Sequence, residues 1–164
     1  MPNPYNYSFN EITQSYHFTT KNDIEYRVAF IDDQTFSAVS GLEMENIYQI
    51  IIEKVEDNLE KFDSQIAATI QTIISSFFKN SQNAMIYICD DRDGKGNKRF
   101  NAFERWYRNC KFKESINKVN NIIVCNTKEQ NWTLYTSLLY HENNSNKDTI
   151  IEVYNTLQEI LNDK

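Results

Sequence analysis

The chain has 164 residues, of which 40% are hydrophobic, 13% aromatic and 24% charged. That balance fits one folded domain over 1–164 and excludes disordered, collagen-like and Pro-rich classes. The formal charge of −6 is uneven: residues 92–118 carry nine basic and three acidic side chains, net +6, which leaves −12 elsewhere.

The first 36 residues alternate with period two. Tyr5, Tyr7 and Phe9 share one face, then Tyr16 and Phe18, then Ile24, Tyr26, Val28 and Phe30. Aromatic and β-branched residues in that pattern predict half-buried strands, and the polar breaks at Asn10–Gln14 and Lys21–Asp23 predict hairpin loops. A fourth strand fits Tyr48–Val55, although a helix can also be drawn through 44–55. The period then changes. Ile66, Ile70, Ile73, Ile74 and Phe77 mark an amphipathic helix over 63–79, with Asp63 or Ser64 as its N-cap. The apolar run Ala84–Cys89 predicts an interior strand. A helix from Lys98 carries Phe100, Phe103, Tyr107 and Cys110 on one stripe. Strands follow at Asn121–Cys125 and Trp132–Tyr140, and a last helix at about 147–162 is striped by Ile150, Tyr154, Leu157 and Leu161.

The expected fold is α+β. It has an N-terminal β-meander, a mostly antiparallel sheet and about three helices on one face, in the order ββββ-α-β-α-ββ-α. The last helix needs a surface to cover, either the sheet or a second subunit, so a homo-oligomer through that helix stays open.

No apolar run is long enough to span a membrane, and Met1–Phe9 lacks the basic and apolar regions of a secretory signal. Three cysteines without framework spacing fit a reducing compartment, so a cytoplasmic location is expected. Cys89, Cys110 and Cys125 read as small core residues. A Cys125–His141 pair has no local support but stays open. No zinc spacing, phosphate-binding loop or nucleophile elbow occurs, and no cofactor is expected.

The chemical signal lies in Asp90-Asp91-Arg92-Asp93-Gly94-Lys95-Gly96, between a strand and a helix. It supports three readings. Gly94 and Gly96 can free backbone N–H groups for an anion, with Lys95, Lys98 and Arg99 adding charge at the helix start. Alternatively, Asp90, Asp91 and Asp93 can hold a divalent cation. In the third reading the segment is structural, with an Asp93-Gly94 turn and an aspartate paired with Arg99. The D-x-D spacing of aspartate-based phosphohydrolases occurs at Asp91-Arg92-Asp93, but no second motif of that class follows, and the calcium-loop pattern fails because Cys89 and Phe100 occupy ligand positions.

Cys89-Asp90, Asp93-Gly94-Lys95, Arg99, Phe103 and Trp106, with Tyr7-x-Phe9 and Tyr16-x-Phe18 before them, carry a resemblance. The chain resembles a family of small bacterial proteins of unknown function with the pattern C-D-x-x-D-G-[KR]-x-x-x-R-x-x-x-F-x-x-W. The similarity covers most of the chain and departs at Asn144-Ser145-Asn146, where the family has Asn-Pro before the last helix. It implies no activity, but it groups Asp90, Asp93, Gly94, Arg99, Phe103 and Trp106. Arg99, Phe103 and Trp106 share a helical face, and Arg99 can reach back to Asp90 or Asp93, where a buried pair would lock the loop.

Two functions follow as expectations. The first is a binding or regulatory module that engages a protein, a nucleic acid or a phosphate-bearing ligand through Gly94–Arg108, with Asp90, Asp93, Gly94, Lys95, Lys98, Arg99, Arg105, Trp106 and Arg108 as its residues. The second is a small metal-dependent nuclease or phosphoesterase, a toxin or defence component, that uses Asp90, Asp91 and Asp93.

Overall fold

The computed structural model describes residues 2–56 and 63–162. Seven strands form one sheet in the order β1-β2-β3-β4-β5-β7-β6. They are β1 (Tyr7–Asn10), β2 (Ser15–Thr19), β3 (Glu25–Asp32), β4 (Ile47–Lys54), β5 (Ala84–Asp90), β6 (Ile116–Asn126) and β7 (Asn131–His141). The helices among the described residues are α1 (Thr35–Ser40), α2 (Ser64–Phe77), α3 (Gly96–Arg108) and α4 (Lys147–Asn162), with a 3-10 turn at Lys111–Glu114. None is long and apolar enough to cross a membrane.

The expected α+β class and N-terminal meander are present: β1 to β4 pair antiparallel in sequence order. The tight first hairpin is held by Asn10, whose Oδ1 accepts the N–H groups of Ile12 at 2.9 Å and Thr13 at 3.1 Å. The period-2 stretch around Tyr48 is a strand, as alternation indicated, and not a helix. A parallel step from β4 to β5, spanned by α2, breaks the antiparallel pattern. Asp63 caps α2 by accepting the Gln65 N–H at 2.9 Å.

Two expectations are corrected. The fourth helix, α1, interrupts the predicted ββββ run and seats Phe36 fully in the core. The helices also lie on both faces of the sheet. On β5, Met85, Tyr87 and Cys89 pack with α2 and α3, whereas Ala84 and Ile86 pack with α1 and α4. A strand apolar on both faces must be covered on both faces, which a single helical layer cannot do.

Ile150, Val153, Tyr154 and Leu157 of α4 are buried against the sheet of the same chain. That stripe is therefore not left over for a second subunit. The side chain of Leu161 lies outside the described residues.

Candidate functional site

β5 ends at Asp90, and its ladder runs one residue further through Asp91 N–H to the Thr133 carbonyl at 3.1 Å. The chain then reverses. Gly94 adopts φ +73°, which glycine accepts without steric cost, and its N–H reaches the Asp91 carbonyl at 2.9 Å. Gly96 opens α3 against the backbone of the strand end. A Cβ there would sit 2.8 Å from Asp91 Cα and 2.9 Å from the Asp90 carbonyl, so only glycine fits without a shift.

Each aspartate of the loop is engaged within it. Asp91 Oδ1 accepts the Gly96 N–H at 2.9 Å and so serves an unpaired donor at the start of α3. Asp93 accepts the Lys95 N–H at 2.9 Å and both terminal nitrogens of Arg99, at 2.8 and 3.3 Å. The Arg99 guanidinium holds the Asp93 carboxyl well below the usual carboxylate range, at about 2. Arg99 also donates to the Asp90 carbonyl at 2.8 Å. The Asp90 carboxylate takes Arg92 Nε at 2.7 Å and the Arg92 N–H at 2.9 Å, and this pairing lowers its pKa. The Arg92 guanidinium stacks over the Trp132 ring at 5.3 Å.

The predicted lock between Arg99 and the aspartates thus exists, with a correction to its setting. The pair is exposed, with Arg99 and Asp93 side chains 42% and 52% accessible. Arg99 is turned onto Asp93 and not into a pocket beside Lys95. The divalent-cation reading finds no converging donor set, because no group of three His, Cys, Asp or Glu side chains among the described residues could hold a metal ion. Cys125 pairs with Trp132 and His141 with Ile116, so these two residues stand at opposite ends of the β6–β7 hairpin. Burial pushes the thiols of Cys89, Cys110 and Cys125 up, consistent with inert core residues.

The remaining cations behave differently. Lys95, Lys98, Arg105 and Arg108 are exposed and form no salt bridge among the described residues. Phe100 and Phe103 of α3 are buried. At 100° per residue, Lys98, Asn101, Arg105 and Arg108 fall on the opposite, outer face. Glu104, the one acid of α3, is drawn aside by Lys118, and Asn120 Nδ2 donates to it at 2.9 Å. Trp106 is half-buried, packs on Phe103 and receives Gln71 Nε2 on its carbonyl at 2.9 Å.

A second polar cluster carried no sequence signal, because it depends on cross-strand register. Ser15 Oγ lies 2.8 Å from His17 Nε2, and His17 Nδ1 lies 3.1 Å from Glu25 Oε1. Ser15 is fully buried between β1 and β3, so the cluster ties the meander together and its hydroxyl is closed to a substrate.

The family of unknown function DUF6169 matches residues 62–156, a span that contains α2, the whole loop and α3. No curated protein and no solved structure matches the chain.

Proposed function

With more than half of its length matched, the chain belongs to the family of unknown function DUF6169, and from the placement of its own charges we propose that it is a binding module for an anionic macromolecule or phosphate-bearing ligand. The contact face is the outer side of α3. The observation that carries this reading is a division of labour among the basic residues. Arg92 and Arg99 are neutralised inside the loop, whereas Lys98, Arg105 and Arg108 form an acid-free stripe facing solvent.

Helix electrostatics support it. Cations near a helix N-terminus oppose the macrodipole, each at roughly 0.3–1 kcal/mol. α3 has no acid in its first turn and carries Lys98 and Arg99 there, behind Lys95 at the N-cap. The local conflict is offset by Asp91 and Asp93, which accept the N–H groups of Gly96 and Lys95. A sequence that breaks a local rule and compensates for it nearby marks a position selected for something other than stability. Along the axis, Arg105 and Arg108 stand about 10 Å and about 15 Å from Lys98, a span suited to several charges of one extended anion.

The test is fluorescence anisotropy with a labelled single-stranded RNA, with heparin as competitor, across a salt series. Wild type should bind, and its affinity should fall steeply with salt as counterions are released. The K98E/R105E/R108E variant should unfold as wild type does and bind about tenfold more weakly or worse. No binding of either polyanion, or unchanged affinity in the triple variant, overturns the reading.

A further inference from the structure

Two adjoining cavities open between the N-terminal segment, α2, α3 and the 3-10 turn. The larger, of about 460 Å³, lies between Pro2–Tyr7, α2 and Lys111–Phe112. The smaller, of about 250 Å³, runs from α2 to Arg105, Trp106 and Asn109. They share Pro2, Ala68 and Gln71 as lining, and so adjoin as two halves of one cleft with Gln71 at their boundary. Its size falls in the range of small-molecule sites.

The chemistry of the walls is one-sided. Lys79, Lys111 and Arg105 line the cleft, and among the described residues no Asp or Glu does, in a chain with 23 acids against 17 bases. None of the three cations is ion-paired among the described residues. The larger cavity is also lined by Ser75 and Ser76, with Lys79 and Lys111, while Thr72 on the same wall donates its hydroxyl to the Ala68 carbonyl at 2.8 Å. The smaller presents Trp106 and Ala67, with Gln71 between the halves, its amide fixed by the bond to the Trp106 carbonyl.

We infer that this cleft binds a small organic anion of the phosphorylated-nucleoside class. The planar body lies against Trp106 and Ala67, and the phosphate lies among the Ser75 and Ser76 hydroxyls, Lys79 and Lys111. Aromatic faces accept planar rings without sequence or orientation codes, and paired ammonium groups with hydroxyls match phosphate oxygens. A nucleotide joins the two demands in one molecule. The site goes beyond the α3 face proposed above, since only Arg105 belongs to both.

The test uses the full chain with AMP, GMP, adenosine and inorganic phosphate. AMP or GMP should bind saturably by calorimetry and raise the melting temperature, as any ligand of the folded state must. Adenosine and phosphate should each bind about tenfold more weakly or less, since each meets half the cleft. In Trp132→Phe, which leaves Trp106 as the one tryptophan, AMP should change the fluorescence. Lys79→Glu/Lys111→Glu, at exposed positions, should remove binding, and Ala67→Trp should block it sterically. Lys98→Glu/Arg108→Glu should retain it while losing the RNA, which separates this site from the α3 face. Absence of nucleotide binding, equal affinity for phosphate alone, or full affinity in Lys79→Glu/Lys111→Glu overturns the inference.

Discussion

Arg99 grips the Asp93 carboxylate with both terminal nitrogens and shares one of them with the Asp90 carbonyl, so one side chain joins the end of β5, the turn and the first turn of α3. Because Asp93 is held at about 2 when folded, its contribution to stability is complete above the usual carboxylate range and is lost as pH falls through about 2. Chemical denaturation of wild type and Arg99→Ala across the acid range should show a stability difference that shrinks as Asp93 is protonated. A difference independent of pH down to that point would place the effect of Arg99 elsewhere, in its bond to the Asp90 carbonyl.

The two loop glycines should fail for different reasons. At Gly94 an added Cβ meets nothing within 4 Å, so Gly94→Ala should cost only the left-handed backbone, about 1–2 kcal/mol, and Gly94→Asn less. At Gly96 the Cβ collides with backbone that must move, and Gly96→Ala should cost about 1–3 kcal/mol and shift the amide signals of Asp90 and Asp91. Urea unfolding and a two-dimensional amide spectrum check both. An unperturbed strand end in Gly96→Ala would contradict the close approach.

Lys118 fastens α3 to β6. Its side chain is 7% exposed, pairs with Glu104, donates to Asn120 Oδ1 at 2.8 Å and lies 5.3 Å over the Tyr107 ring. Glu104→Ala leaves that ammonium with little compensation and should cost about 2 kcal/mol, below the figure for fully buried pairs because Glu104 is partly solvated. Glu104→Leu/Lys118→Met should recover most of the loss. A double variant less stable than Glu104→Ala would mean the pair does more than neutralise itself.

Tyr154 and Thr136, both buried, share a hydrogen bond of 2.6 Å between α4 and β7. Burial pushes the Tyr154 hydroxyl up to about 12. The unfolded chain releases this proton near 10, so stability is complete below that pH and declines as pH rises toward about 12. Tyr87, raised further by burial against Phe103, acts in the same direction. Tyr154→Phe should cost about 1 kcal/mol at neutral pH and soften the alkaline decline, read by circular dichroism. An alkaline profile identical to wild type would assign the effect to Tyr87 alone.

What the sequence revealed depended on periodicity. The meander, α2 and the stripe of α4 follow from spacings that repeat over several residues, β5 follows from its unbroken apolar run, and the cap of α2 follows from residue type, which left Asp63 and Ser64 as alternatives. α1 escaped because six residues with one core side chain, Phe36, carry no repeat. β6 begins at Ile116 and not at Asn121, because Asn117 and Asn120, exposed on an edge strand, and the polar Lys118 between them read as loop. Helices on both faces were implicit in the unbroken apolar run of β5, but the α+β pattern pointed to one layer.

At the site, Arg99 to Asp93 was legible from helical reach. The stack of Arg92 on Trp132 and the cap from Asp91 were not, since they require the placement of β7 and the closeness of Gly96 to the strand end. The cleft was equally hidden. It is walled by residues from the N-terminal segment, α2 and α3, which only the finished fold brings together.

The single parallel junction in the sheet has a consequence for how the chain assembles. β1 to β3 zip by successive hairpins, β4 joins β3 across the connection that holds α1, and β6 and β7 form a hairpin, but β4 meets β5 through three register pairs, Ile47–Ala84 to Gln49–Ile86. Closing that junction brings together residues far apart in the chain, and the entropy lost is repaid only once α2 docks across it. In kinetic terms the seam therefore closes between a meander built from near neighbours and a β5–β7–β6 half that has its own distant pairing to make, Ala84–Tyr140 to Asp90–Leu134. Amide protons at this seam should exchange first among those of the central strands, and substitutions in α2 should change the folding rate more than those in the meander.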